Sequence, residues 1–141
     1  MRRRIADYVG GFFEVEYDPA SEILVTVGVS EALDLALRAL LNPGDEVIYH
    51  EPCYVSYMPG TVMAYGIPVP VATRKRDGFS LKPEALAKAL TPNSRVLVLN
   101  FPTNPTGGVA SAEDLAGIAK LCRSEARRVG TEGRSRWSPD R

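Results

Sequence analysis

Short apolar runs alternate with segments of helical periodicity along most of the chain. Three runs are apolar or rich in β-branched residues and are bounded by turn residues, which predicts buried strands: 23–27, 46–50 and 95–100. A fourth run, 67–71, contains two prolines, which favour the edge or the end of a sheet. Strands that are apolar on both faces and separated by helices predict a parallel sheet.

Apolar residues at helical spacing predict five helices around these strands. One opens the chain and ends at the Gly10-Gly11 pair, and the others span 29–41, 54–65, 81–90 and 111–122. Pro59-Gly60 should disturb or delay the helix in which it falls. The order of the elements predicts an α/β fold over residues 1–122, with a mostly parallel sheet and helices on both of its faces.

Composition and charge exclude several classes of function. The 141 residues are 45% apolar and 24% charged, and 17 basic side chains balance 17 acidic ones. This balance argues against a nucleic-acid or anionic-membrane partner, and no apolar run reaches the roughly 20 residues that span a bilayer. Cys53 and Cys122 form neither a disulfide framework nor a metal site. We therefore expect a cytoplasmic protein without a metal.

The last 19 residues, 123–141, differ from the rest of the chain. They contain six arginines and three acidic residues, and only Ala126, Val129 and Trp137 are apolar. Such a segment buries too little surface to offset about 1–2 kcal/mol of backbone entropy per residue. We expect a disordered tail, with a basic nucleic-acid arm as the alternative. The string resembles a translated sequencing-library adapter, so we interpret it as non-native.

Candidate ligand chemistry lies after the predicted strands, because open α/β sheets bind ligands at the carboxyl ends of their strands. After the run 23–27, Gly28 leads into a predicted helix whose first residues are Val29 and Ser30. Backbone N–H groups at a helix start, together with the Ser30 hydroxyl, suit an anion such as phosphate. Ordinary helix capping explains the same residues too, and for this segment taken alone it is the favoured explanation.

Two further segments follow strands and carry a possible ligand contact. Tyr54 has a ring that could stack on a flat aromatic cofactor, or pack half-buried. Asn104 has an amide that could donate to a ligand oxygen, or belong to a plain loop stiffened by prolines. His50 is the only histidine, and Cys53 has no nearby base, so both are interpreted as structural or solvated.

Together these three segments resemble the class I/II aminotransferases, fold-type I enzymes that use pyridoxal 5′-phosphate (PLP). The resemblance is carried by residues 23–47, by Glu51-Pro-Cys-Tyr-Val-Ser-Tyr57 and by Asn104-Pro-Thr-Gly107, and it covers about residues 2–123. It implies part of a PLP-transferase large domain, truncated at both ends, from an enzyme that acts on an amino acid and a 2-oxo acid. It also implies a homodimer for the complete enzyme.

The resemblance assigns a role to each candidate residue. Backbone amides around Val29 and Ser30, with the Ser30 hydroxyl, would hold the PLP phosphate. Tyr54 would stack on the pyridine ring, and Asn104 would donate to the phenolic oxygen of PLP. The peptide bond between Asn104 and Pro105 is expected to be cis, as in relatives.

Other parts of the family pattern have no match, so no catalytic residue is assigned. The aspartate that pairs with the pyridine nitrogen, the Schiff-base lysine and the arginine that grips the substrate all lack a counterpart. The lysines present are in no matching motif: Lys75, Lys82, Lys88 and Lys120. We expect this chain itself to be inactive. The alternatives are another fold-type I PLP enzyme (a C–S lyase or a decarboxylating synthase), an aminotransferase-like domain of a transcription regulator, and a non-enzymatic phosphate- or nucleotide-binding module.

Overall fold

The structure is a computed structural model that describes the backbone of residues 1–132 and the side chains of residues 1–124. The described part of the chain divides into two compact units, Met1–Ala36 and a second unit that begins at Leu37. The helices are α1 (Arg2–Phe13), α2 (Gly28–Leu40), α3 (Tyr57–Met63), α4 (Pro83–Ala89) and α5 (Ala112–Glu132). The strands are β1 (Glu46–Glu51), β2 (Ile67–Ala72) and β3 (Ser94–Val98).

Helix α1 in the first unit continues through Gly10 and Gly11, so its predicted end at this pair is wrong. A glycine inside a helix costs only about 1 kcal/mol relative to alanine. Ring packing one turn apart offsets part of that cost, since the centroids of Tyr8 and Phe12 are 4.7 Å apart. The helix ends instead at Glu14, which is left-handed (φ 54°) and donates its N–H to the Gly10 carbonyl.

The predicted buried strand at 23–27 is also wrong. Its backbone is irregular and its side chains are largely exposed, with Val27 91% exposed. A β-branched run forms a strand only where a neighbouring strand takes up its backbone hydrogen bonds. Within residues 1–132 no strand pairs with this segment, and the Val27 N–H donates to the Glu31 carboxylate instead.

The second unit contains a three-stranded sheet in the order β2-β1-β3, with both strand pairs parallel. The central strand β1 is buried from Val47 to His50. The two-proline strand β2 lies at an edge of this sheet, as its sequence predicts, with Pro68 opposite Val47 and Pro70 opposite Tyr49. Helices α3 and α4 make the crossovers between successive strands, which confirms the predicted α/β class.

Helices cover both faces of the sheet. Under α4 and α5 one face forms a buried apolar cluster of Ile48, Val71, Leu81, Leu86 and Ile118. Successive residues of a strand point to opposite faces, so Tyr49 points away from this cluster and its ring contacts Tyr57 of α3. The central strand is therefore packed on both faces, which holds it in place within the sheet.

The remaining differences concern where helices begin and end. Helix α3 begins at Tyr57 rather than at residue 54, which places Pro59 in the first turn, where its missing N–H costs least. Helix α5 runs to Glu132, ten residues past its predicted end at Cys122.

The backbone of residues 123–132 is thus helical where the sequence predicted a disordered tail, because helical hydrogen bonds are local and Ala, Arg and Glu favour them. Residues 133–141 of that predicted tail lie outside the described residues. Among the described helices, none has the length and apolar character needed to cross a membrane.

Candidate functional site

The loops that carry Tyr54 and Asn104 lie at the same edge of the sheet. They follow β1 and β3, which are adjacent and parallel, so both loops leave from the carboxyl ends of neighbouring strands. The ring of His50, at the end of β1, stacks on that of Phe101, with centroids 5.3 Å apart and planes 12° from parallel. This stack joins the end of β1 to the loop after β3, and the parallel pairing of the two strands places both predicted ligand contacts at one edge.

The loop after β1 presents Tyr54 half-buried. The Tyr54 carbonyl accepts hydrogen bonds from the Tyr57 N–H at 3.2 Å and the Cys53 thiol at 3.5 Å. The ring of Tyr54 meets that of Tyr57 edge-on, with centroids 5.9 Å apart and planes at 80°. Both the backbone and the ring of Tyr54 are therefore tied to the start of α3.

The loop after β3 closes on itself around Asn104. The Thr103 N–H donates to the Gly108 carbonyl at 2.8 Å, and the Gly107 N–H donates to the Thr103 carbonyl at 2.7 Å. Thr103 is buried, whereas Asn104 is exposed. The bond between Asn104 and Pro105 is cis, as expected. The Asn104 side-chain amide is therefore carried by a loop whose ends are held together by backbone hydrogen bonds.

Glycine is required at two positions of this loop, Gly107 and Gly108, for different structural reasons. Gly107 is left-handed, with φ 71°, a conformation that side chains disfavour. Gly108 lies against another loop, and a Cβ there would be 2.8 Å from the Gly78 carbonyl oxygen and 3.1 Å from the Phe79 Cβ. A side chain at either position would displace the loop that carries Asn104.

Val29 and Ser30 lie in the first unit, at the start of α2. The helix begins at Gly28, which is left-handed (φ 84°), and Val29 is 79% exposed. Backbone N–H groups in the first turn of a helix point out of its N-terminus and have no acceptor within the helix. The segment is therefore an exposed helix start, although the strand predicted before it does not form.

The surroundings of His50 and Cys53 disfavour their charged forms. Burial lowers the pKa of His50, and its Nδ1 atom has no hydrogen-bond partner within the described part of the chain. Burial, and after it the charge of Glu51, raises the pKa of the Cys53 thiol, which disfavours the nucleophilic thiolate. We therefore keep the interpretation of both residues as structural.

Sequence reasoning missed Tyr57 and Phe101, which hold the candidate residues in place. Tyr57 lies three residues after Tyr54, a spacing that brings side chains together at a helix start and was available as a signal. Phe101 and His50 are 51 positions apart, so only the pairing of β1 with β3 brings them into contact.

Known proteins resemble this chain in sequence and in fold. The family model described as aminotransferase class I and II matches residues 1–129. The structure of N-succinyldiaminopimelate aminotransferase from Mycobacterium tuberculosis is 44% identical, with a TM-score of 0.84 over 89% of this chain and 33% of that one. An aromatic aminotransferase from Pyrococcus horikoshii is 38% identical, with a TM-score of 0.86 over 89% and 34%. Aspartate aminotransferase from Pyrococcus abyssi is 39% identical over 84% of this chain and 31% of its own length.

The chain spans about a third of the length of the curated relatives it matches. The family match nevertheless covers most of the chain and includes all three segments that carried the resemblance. It also fits the fold, a parallel sheet whose carboxyl edge bears the Tyr54 and Asn104 loops. The chain belongs to the class I and II aminotransferase family.

Proposed function

We propose that this chain is part of a PLP-dependent enzyme that transfers an amino group between an amino acid and a 2-oxo acid. The observation that carries the proposal is the position of Tyr54 and Asn104 in loops that follow adjacent parallel strands, with the His50 ring at the end of β1 stacked on Phe101 in the loop after β3. An aromatic face and an amide donor at one edge match a flat cofactor that bears a phenolic oxygen. The aminotransferase names of the similar proteins favour this reaction over a C–S lyase or a decarboxylating synthase.

Each candidate segment, taken by itself, suits one chemical group of PLP. The exposed start of α2 offers the N–H groups of Val29 and Ser30, and the Ser30 hydroxyl, to the phosphate. The half-buried ring of Tyr54 offers a stacking surface for the pyridine. The exposed Asn104 amide, held by the closed loop from Thr103 to Gly108, can donate to the phenolic oxygen.

PLP itself would supply the electron sink for amino-group chemistry. The residues of this chain would bind PLP and orient it. Tyr54 would stack on the ring and Asn104 would hydrogen-bond its phenolic oxygen, so these two residues would orient the cofactor. We assign no proton transfer to a side chain of this chain, and we propose that the 141 residues bind PLP but do not turn over substrate.

Binding of PLP to the chain, followed by absorbance and fluorescence, tests this proposal. Asn104→Ala removes a hydrogen bond to a charged oxygen and should weaken binding about tenfold or more. Tyr54→Leu should weaken it about 2- to 10-fold, through loss of ring stacking. Asn93→Ala and Tyr65→Leu make the same chemical changes at exposed positions and should leave the affinity unchanged.

Two results would contradict the proposal. The first is a chain whose PLP affinity is the same in all four variants, which would remove Tyr54 and Asn104 from the site. The second is turnover of an amino donor with a 2-oxo acid by the 141-residue chain, which would show that a catalytic group is present. We further propose a cytoplasmic homodimer for the complete enzyme, which sedimentation of that enzyme would test.

A further inference from the structure

Three tyrosines form a series of ring contacts from the centre of the sheet to the loop after β1. Tyr49 lies in the central strand and is only 2% exposed. Its ring centroid is 6.1 Å from that of Tyr57, with planes at 62°. The Tyr57 ring is in turn 5.9 Å from that of Tyr54, with planes at 80°. Two edge-on contacts therefore connect the loop ring to the core.

The position of Tyr57 makes it the fixed partner of this pair. It is the first residue of α3, and its ring is held from behind by the buried Tyr49. Tyr54 lies in an irregular segment, where the backbone alone leaves its side chain several rotamers. Because aromatic rings prefer particular mutual orientations, the anchored Tyr57 ring selects the orientation of the Tyr54 ring.

Tyr57 acts by its shape rather than by its charge. Burial, and after it the charges of Cys53 and Tyr54, raises the pKa of Tyr57. Burial likewise raises the pKa of Tyr49. Both phenols are therefore neutral near pH 7, and the contact with Tyr54 is one of packing and ring electrostatics.

We propose that Tyr57 is a positioning residue for the PLP site, whose ring holds the Tyr54 ring in the orientation that stacks on the cofactor. The inference rests on the proposed function. A ring that is ordered before binding loses less conformational freedom when the cofactor arrives. The effect expected from one such ring contact is about 2- to 10-fold in PLP affinity.

A mutant cycle on PLP affinity tests this role. Tyr57→Leu should weaken binding about 2- to 10-fold, whereas Tyr57→Phe, which keeps the ring, should bind as the wild type does. If Tyr57 acts through Tyr54, the double variant Tyr54→Leu/Tyr57→Leu should bind no more weakly than Tyr54→Leu alone. Tyr65→Leu, an equal change at an exposed tyrosine just beyond α3, is the matched control.

Ring-proton NMR of the chain without PLP supplies an independent readout. The Tyr57 ring current should shift the Tyr54 ring protons, and this shift should disappear in Tyr57→Leu and persist in Tyr57→Phe. Unchanged Tyr54 shifts in Tyr57→Leu, or additive losses of affinity in the double variant, would overturn the inference. A wild-type chain that binds no PLP overturns the proposed function and the cofactor role of Tyr57 with it. Unaltered binding by Tyr57→Leu, beside weaker binding by Tyr54→Leu, overturns this inference alone.

Discussion

Replacing Gly108 with alanine should loosen the loop that carries Asn104. The added Cβ would lie 2.8 Å from the Gly78 carbonyl oxygen and 3.1 Å from the Phe79 Cβ, and neither atom belongs to the flexible end of a side chain. Overpacking of this kind costs about 1–3 kcal/mol. Gly108 is not left-handed, so alanine also removes entropy from the unfolded chain, which returns about 0.4–1 kcal/mol. We expect a net loss of about 1 kcal/mol.

The same substitution should also displace the ligand contact. The Gly108 carbonyl accepts the Thr103 N–H at 2.8 Å, so a shift of Gly108 moves the residue directly before Asn104. Gly108→Ala should therefore lower the affinity for PLP as well as the free energy of unfolding. Urea unfolding measures the first effect and PLP titration the second, with hydrogen exchange resolving the two units separately.

Gly11→Ala is the control for this prediction. Gly11 lies inside α1, and a Cβ there meets no atom within 4 Å in the described part of the chain. Alanine should therefore stabilise that helix by about 0.5–1 kcal/mol. A Gly108→Ala chain that is as stable as the wild type and binds PLP equally well would refute the steric reasoning.

Three further predictions concern the second unit. Leu86→Ala removes a fully buried core side chain and should lower the free energy of unfolding by about 2–5 kcal/mol. Leu115→Ala, at a 40% exposed position, should change it by less than about 1 kcal/mol, and equal effects would contradict this core. Because burial lowers the pKa of His50, the unfolded chain binds a proton more readily, so stability should fall as the pH drops below about 6.5. In His50→Leu that slope should flatten, and an unchanged slope would exclude His50 as its source. The hydrogen bond from the Lys82 ammonium and, as a smaller effect, the one from the Ser111 hydroxyl lower the pKa of Asp114. Its contribution is therefore present above about pH 4 and is lost as the pH falls through its folded pKa. Asp114→Asn should lower the melting temperature at neutral pH, whereas Glu113→Gln, at an exposed position, should not.

Elements whose signals are local were predictable from the sequence. The apolar run at 46–50, the prolines of β2 and the helical spacing before and after them depend on residues close together in the chain. They recover the parallel sheet and its edge strand. The residues 23–27 show the limit of this reasoning, because their composition suits a strand but a strand also requires a neighbour. Composition contains no information about that neighbour.

The candidate site divides in the same way. Tyr54 and Asn104 follow apolar runs, so their place at one edge of the sheet follows from the predicted topology. Their specific roles came from the resemblance, since a lone tyrosine and a lone asparagine are ambiguous. The stack of His50 on Phe101 and the clash distance at Gly108 depend on loops that meet only in the folded chain. Neither contact produces a periodic pattern of residues from which it could be predicted.

The prolines of β2 determine where this sheet can grow. The N–H groups of Ile67 and Thr73 donate inward to the carbonyls of Asp45 and Glu51, and in a parallel strand alternate residues face opposite sides. Pro68 and Pro70 therefore face outward, where a proline has no hydrogen to offer. Along β2 an incoming strand would find carbonyl acceptors but only the Ala72 N–H as a donor, while β3 is free of proline. Pro68 and Pro70 thus favour β3 as the edge at which a further strand, from this polypeptide or another copy, would pair.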